Sequence, residues 1–336
     1  MPEGHSVHRI ARQFERHFEG TPVTVTSPQG RFAAGAAQLD GHEIVRSEAV
    51  GKQLFLEFDH GLWLRVHLGI YGAWDFAGDI TVDARRPEPV DATTASANGR
   101  MGQTGQRGTT VPTTDLAAHE HSLSSMGAPR LTRLRMSEQE KLEDDIESFP
   151  PEPIGAVRVR LLTDRAVADL RGPTACEVQT PEQVDATIAK LGPDPLVGDP
   201  AVGEERFVAA VRKKPTPIAL LLMDQAVVSG IGNVYRAEML FRARQNPFTP
   251  GKEVREEVVR GLWRDWVKLL TLGVETGQML TMDDLSPAAY QRALASRADR
   301  HWVYHRTGEP CRVCGTPIMM QELGGRKLYW CPVDQA

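Results

Sequence analysis

Three cysteines near the C-terminus constrain the fold of this 336-residue chain more than any other feature. Two residues lie between Cys311 and Cys314, and sixteen lie between Cys314 and Cys331. This knuckle spacing is typical of a small hairpin whose thiolates hold zinc. A fourth cysteine would be expected at about position 334, where the chain has Asp334. We predict a zinc-finger-like β-hairpin over residues 301–336, with the three cysteines and Asp334 as ligands of a structural zinc ion.

The first residues carry a second chemical signal. The initiator methionine is normally removed when proline follows, which would leave Pro2 as a secondary amine beside the carboxylate of Glu3. An α-amine has a pKa near ~8, so part of it is unprotonated and nucleophilic at neutral pH. A Pro-Glu start also occurs by chance. Together with a hairpin suited to a polyanion, it favours chemistry on a damaged nucleotide in DNA.

The net charge of −5 argues against DNA binding only while its distribution is ignored. Residues 79–155 hold 8 Arg/Lys and 13 Asp/Glu, and the remaining residues are balanced. Residues 211–250 hold six cations against Asp224 and Glu238. Local charge decides phosphate binding, although a solvated helical face would also carry such cations.

Hydrophobic periodicity predicts an α+β chain. A helical spacing of apolar residues covers 3–19, and short β-type runs follow it. These runs cover 23–26, 43–45, 54–58, 62–66, 157–161 and 166–170. We therefore assign residues 1–172 to an N-terminal β-domain, interrupted by an acidic, unstructured insertion at 79–155 whose composition cannot support a core.

The second half of the chain reads as helical. We predict a linker over 173–200 that holds one short helix, and a helical domain over 201–300. The predicted helices of that domain cover 204–213, 216–226, 233–243 and 253–276, while 279–299 has weak signals.

Location and partners follow from the same composition. No apolar window is long enough for a membrane span, and the N-terminus has no apolar signal core, so we expect a cytoplasmic protein. Cysteines in a knuckle spacing favour a reduced compartment. We expect a monomer.

Other candidate residues have an ordinary reading beside the functional one. Lys52 at a strand start is usually a solvated end. The Gly-x-Gly turn before Asn233 can be a tight helix connection, or can let backbone N–H groups and an Asn233 N-cap bind a phosphate. Ile70 and Tyr71 are either core residues or a wedge that fills the gap left by a flipped base.

Taken jointly, these residues resemble the formamidopyrimidine-DNA glycosylase/endonuclease VIII family, and the start is similar to its actinobacterial endonuclease VIII type. The matching pieces span 1–78 and about 155–336. They are Met1–His5, Gly51-Lys52, His67–Gly69, Leu191–Leu196, Gly230–Tyr235 and the cysteine hairpin with Arg326.

The resemblance implies a two-layer antiparallel β-sandwich with a leading helix, a helix–two-turns–helix domain and a zinc hairpin, with damaged DNA between the two domains. It implies an N-glycosylase for oxidised bases, preferably pyrimidines, that is also an abasic-site lyase. Pro2 would be the nucleophile, and Glu3 the acid that assists sugar opening. Lys52 would be an acid or charge partner in the elimination.

The remaining implied roles concern DNA binding. Asn233 and Arg326 would hold the phosphates around the lesion, and Ile70 and Tyr71 would fill the void. Two alternatives stay open: a catalytically silent protein that binds damaged DNA, and a zinc-ribbon interaction module with an unrelated N-terminal domain.

Overall fold

A computed structural model describes residues 2–80, 125–128 and 149–336. Its helices are α1 (Gly4–His17), α2 (Ala33–Leu39), α3 (Pro181–Ile188), α4 (Pro200–Arg212), α5 (Ile218–Leu221), α6 (Asn233–Arg242), α7 (Glu256–Thr276) and α8 (Pro287–Ala295). Its strands are β1 (Thr24–Thr26), β2 (Ile44–Val50), β3 (Gln53–Phe58), β4 (Trp63–His67), β5 (Ala73–Gly78), β6 (Ser125–Gly127), β7 (Val157–Leu162), β8 (Ala166–Arg171), β9 (Ala175–Gln179), β10 (Met319–Leu323) and β11 (Arg326–Trp330). This α+β architecture confirms the predicted fold class.

Two antiparallel sheets form the N-terminal domain. One sheet has the order β1-β7-β8-β5-β6 and the other has the order β2-β3-β4-β9. Alternate side chains of both sheets enter one core, because successive residues of a strand point to opposite faces. Phe14 of α1 packs on Trp74 and Phe76 in that core, with ring centroids 4.9 and 5.4 Å apart. The leading helix is therefore part of the sandwich.

The helical domain is built around α7. Its buried face includes Trp263 and Trp266, and Trp266 packs edge-on against Tyr235 of α6 at 4.8 Å. Helix α1 lies against both domains, since His5 contacts the same Tyr235 ring at 5.7 Å. The helix that carries the N-terminal residues thus joins the sandwich to the helical domain.

The C-terminal hairpin packs on α6. Strands β10 and β11 pair with Leu323 opposite Arg326, and both turn glycines, Gly324 and Gly325, have positive φ values of 62° and 70°. Such a two-residue turn needs glycine because both positions are left-handed. Leu328 is fully buried in the core of the helical domain, which anchors the hairpin.

Several predictions made from the sequence need correction. Strand β9 lies inside the predicted 173–200 linker and pairs along β4, from Trp63 opposite Gln179 to His67 opposite Ala175. The sandwich therefore extends past residue 172 to Gln179. The strand was missed because its burial is only partial and its pattern does not alternate clearly.

The predicted helix at 216–226 is much shorter, since α5 ends at Leu221. Asp224 ends the helical path by accepting the N–H of Ala226 through its side chain and the N–H of Val227 through its carbonyl, which favours turns. Helix α2 had no predicted counterpart, because Ala and Gly dominate it and give almost no periodic signal.

The proposed insertion at 79–155 holds one strand among its described residues. Strand β6 pairs with β5, with Trp74 opposite Met126. Residues 81–124 and 129–148 of that segment lie outside the described residues, so its predicted lack of structure stays a prediction. Among the described helices, none combines the length and the apolar character that a membrane span requires.

Candidate active site

Glu3 is the centre of the site. It is fully buried, and its carboxylate accepts the N–H groups of Gly232 (2.8 Å), Val234 (2.9 Å) and Tyr235 (3.4 Å). These are the free donors at the N-terminus of α6, where a negative charge is favoured. Glu3 is the N-cap residue of α1 by position, yet its side chain makes no capping bond there. Two distant parts of the chain are thereby joined, and Pro2, also buried, lies next to this junction.

Glycines allow the backbones to meet at this point. Gly4 donates its N–H to the carbonyl of Gly230 at 2.9 Å. A Cβ on Gly4 would lie 3.0 Å from Gly230 Cα, and a Cβ on Gly232 would lie 2.4 Å from Glu3 Cδ. Gly51, with φ 60°, would bring a Cβ within 2.7 Å of Ser229 Cβ. The N-terminus, the Lys52 turn and the turn before α6 therefore touch through glycine backbones.

Lys52 faces the same place. Its ammonium donates to the carbonyl of Ile231 at 2.6 Å. Burial lowers the pKa of Lys52, the charge of Glu3 opposes that shift, and the charge of Arg326 adds to it. Lys52, Glu3 and Arg326 thus lie within electrostatic reach of one another.

Asn233 joins α6 to the hairpin. It is the first residue of α6, while the N-cap is Gly232, so the predicted N-cap role of Asn233 is wrong. The carboxylate of Glu3 occupies the capping position. The Asn233 amide instead donates to the carbonyl of Lys327 at 2.9 Å and accepts from Arg236, which also donates to Lys327 at 3.2 Å.

The hairpin tip presents Arg326 to solvent. Arg326 is exposed and follows Gly325 at the first position of β11. Asn233 and Arg236 both donate to the backbone carbonyl of the next residue, Lys327. These bonds hold the backbone beside Arg326 in place, while the Arg326 side chain remains exposed.

Ile70 and Tyr71 lie on the exposed turn between β4 and β5. Their exposed fractions of 38% and 65% are high for large apolar side chains. The turn starts at the Lys52 end of the sheet, since Gln53 pairs with His67. This exposure excludes the interpretation of Ile70 and Tyr71 as core residues.

Sequence reasoning missed the role of Asp194. It is buried, and its carboxylate accepts the N–H of Gly51 at 2.6 Å and lies 2.9 Å from His8 Nε2. Asp194 thereby fixes the turn that carries Lys52 against α1. Asp194 lies in the predicted 173–200 linker, and the sequence did not identify its distant partners.

The cysteine cluster fits a structural zinc ion. Cys311 Sγ and Cys331 Sγ lie 3.0 and 3.4 Å from Asp334 Oδ2, and Cys314 Sγ lies 3.5 Å from Cys331 Sγ. All four ligand atoms lie within 4.8 Å of one another. Tetrahedral ligands at ~2.3 Å from zinc would be about 3.8 Å apart, so small shifts would complete the site.

The comparisons with known proteins agree with this geometry. Residues 1–112 match the formamidopyrimidine-DNA glycosylase N-terminal domain, 191–284 match the formamidopyrimidine-DNA glycosylase H2TH domain, and 308–336 match the zinc finger found in FPG and IleRS. Proteins named endonuclease 8 1 from Mycobacterium tuberculosis and Mycobacterium bovis are 36% identical over 335 residues, covering 100% of both chains. The chain belongs to the formamidopyrimidine-DNA glycosylase family.

Other family members extend the agreement. A formamidopyrimidine-DNA glycosylase of Thermus thermophilus is 36% identical over 148 residues, which are 44% of this chain and 54% of that protein. The crystal structure of the MutM (Fpg) protein of Thermus thermophilus has a TM-score of 0.62 at 22% identity, covering 99% of this chain and 98% of that one. A Lactococcus lactis Fpg structure, bound non-covalently to DNA containing an AP site, has a TM-score of 0.63 at 20% identity, covering 99% of each chain.

Membership of the formamidopyrimidine-DNA glycosylase family makes the chain a DNA-repair enzyme of the glycosylase and abasic-site lyase class. The predicted family, enzyme class and structural zinc site are confirmed.

Proposed function

We propose that this enzyme releases oxidised bases, preferably pyrimidines, and then cleaves the abasic strand through a Schiff base on Pro2. The observation that carries the proposal is the buried junction of Glu3 with the N-terminus of α6, beside Pro2 and Lys52. The Pro-Glu-Gly-His start and the full-length similarity to proteins named endonuclease 8 support the pyrimidine preference.

Pro2 is the nucleophile of the proposed reaction. Its unprotonated secondary amine attacks C1′ of the flipped nucleotide, and the base leaves with the bonding electron pair and a proton. The attached amine loses its proton, and the C1′–O4′ bond then breaks as O4′ takes up a proton. This ring opening gives an iminium, which attracts electrons from the adjacent C2′–H bond. Loss of that proton expels the 3′ phosphate, and a second elimination expels the 5′ phosphate.

Glu3 and Lys52 assist these reaction steps through proton transfer and electrostatic interaction. Glu3 assists sugar opening next to Pro2, and its backbone donors keep the carboxylate in one orientation. Burial favours the neutral amine of Lys52, so this side chain can exchange a proton more readily than a solvated lysine. Arg326, whose charge reaches this region, favours the approach of phosphates.

Three parts of the protein bind DNA in this proposal: the Arg326 side chain, the Asn233 amide and the turn that carries Ile70 and Tyr71. Arg326 donates to a phosphate from the hairpin tip. An asparagine amide has two N–H groups, and Asn233 uses one on Lys327, which leaves the other for a phosphate. Ile70 and Tyr71, exposed on their turn, fill the space of the flipped base.

Trapping with sodium borohydride tests the nucleophile. The purified protein is mixed with a duplex that contains one abasic site, and the reductant converts an iminium into a stable covalent bond. We expect a covalent band for the wild type and no band for a form that retains Met1, whose Pro2 nitrogen is an amide. Mass spectrometry of the intact chain verifies the N-terminus of each sample.

A band of equal strength from the Met1-retaining form would refute Pro2 as nucleophile. Tight binding of the abasic duplex without any band would favour the silent damage-binding alternative. The lesion class is tested separately, with duplexes that carry an oxidised pyrimidine or an oxidised purine. Faster single-turnover release of the purine would overturn the pyrimidine preference and leave the Pro2 chemistry standing.

A further inference from the structure

A cluster of ligand-type side chains lies on the N-terminal domain, away from the candidate active site. His42 Nδ1 is 2.7 Å and His60 Nδ1 is 3.5 Å from the same oxygen of Asp59. The two imidazole rings stack with centroids 3.6 Å apart. The three ligand atoms lie within 4.8 Å of one another.

The backbone holds these residues together although they come from two segments. His42 lies in the connection from α2 to β2, and Asp59 and His60 form the turn between β3 and β4. The N–H of Asp59 donates to the carbonyl of Glu43 at 2.9 Å, and the carbonyl of His42 accepts from Val23 at 3.0 Å. The ligand positions are thus set by backbone hydrogen bonds next to the sheet and do not depend on the side chains themselves.

We propose that His42, Asp59 and His60 form a second metal site that takes a divalent borderline ion of the Zn²⁺ or Ni²⁺ kind. Two imidazoles and a carboxylate are ligands that such ions prefer over all-oxygen sets. The ion replaces the proton between His42 Nδ1 and the carboxylate, His60 Nδ1 turns toward the same ion, and water completes its coordination. The side chains are between 26% and 48% exposed, so both rings can turn until their Nδ1 atoms reach one ion.

The location separates this site from catalysis. The β3–β4 turn lies at the end of β3 remote from Lys52, and six residues of strand span about 20 Å. A bound ion would tie the α2–β2 connection to the β3–β4 turn. We therefore expect it to stabilise the N-terminal domain and to leave the excision rate unchanged.

Nickel binding to the full-length chain tests the inference, in tag-free protein whose C-terminal hairpin has first been loaded with one equivalent of zinc. After dialysis against Ni²⁺, elemental analysis gives zinc and nickel per chain, and thermal unfolding is followed with and without nickel. We expect one nickel per chain in the wild type and a higher Tm when nickel is present.

Variants assign the ion. His42→Ala and His60→Ala should lose the nickel and its Tm increase while keeping zinc. Glu57→Gln, which changes a nearby carboxylate that pairs with Arg46 instead, should keep both metals. Nickel bound equally by His60→Ala, or no nickel beyond the hairpin in the wild type, would overturn the proposal.

Discussion

Replacing Glu3 by glutamine tests the central junction of the site. The carboxylate accepts the N–H of Gly232 and the N–H of Val234 through different oxygens, at 2.8 and 2.9 Å. Glutamine keeps one acceptor and places an NH₂ group against the other N–H. A buried donor without a partner costs about 1–3 kcal/mol, and loss of a negative charge at a helix N-terminus costs about 0.3–2 kcal/mol. We expect the free energy of unfolding to fall by about 1–5 kcal/mol.

Urea unfolding of the free enzyme measures this change without involving catalysis. The matched control is Glu177→Gln, which removes an exposed carboxylate that pairs with Arg65, and which should change the free energy of unfolding by no more than about 0.5 kcal/mol. If Glu3→Gln unfolds at the same urea concentration as the control, the carboxylate does not hold the two domains together. The buried hydrogen bonds of Glu3 would then contribute less to the free energy of unfolding than the about 1–3 kcal/mol assumed for an unpaired donor.

Three further changes test the same region and the hairpin. Gly232→Ala should destabilise the protein by about 1–3 kcal/mol, because the new Cβ would lie 2.4 Å from Glu3 Cδ. Its control, Gly261→Ala, places a Cβ with nothing within 4 Å and should stabilise the protein by about 0.5–1 kcal/mol. Chemical unfolding measures both changes. Burial lowers the pKa of Lys52, so between the lowered pKa and the usual one near 10.5 the folded state binds fewer protons than the unfolded state. In that pH range the free energy of unfolding of the wild type should rise with pH relative to that of Lys52→Met. If the free energies of unfolding of the two proteins change in parallel with pH, this reasoning is refuted. Asp334→Ala should weaken zinc binding at least about tenfold and Asp334→Cys should strengthen it, as measured by competition with a chelator, and equal affinities would remove Asp334 from the ligand set.

Local patterns predicted much of this protein. The spacing of Cys311, Cys314 and Cys331 predicted the hairpin, whose strands β10 and β11 pair as expected. The apolar periodicity of 3–19 predicted α1, which the structure bounds at Gly4–His17. These features depend on neighbours in the chain, so one sequence was enough to find them.

Features that depend on distant partners were missed or assigned incorrectly. Strand β9 was assigned to a linker because its sequence pattern is weak. It forms a strand because it makes hydrogen bonds with β4, which the sequence does not show. Asn233 was expected to cap its own helix, but Glu3 has that role. Asp194 gave no signal of its contacts with His8 and Gly51.

The sequence by itself determined the chemical groups available: an amine beside a carboxylate, a lysine at a strand start and a cysteine hairpin. Only the tertiary structure decided that these groups meet. The carboxylate of Glu3 finds its donors at α6 because burial removes water as a competing partner, and because Gly4, Gly230 and Gly232 let the two backbones approach. Such a contact has no local signature, since its free energy arises only when both segments are already folded.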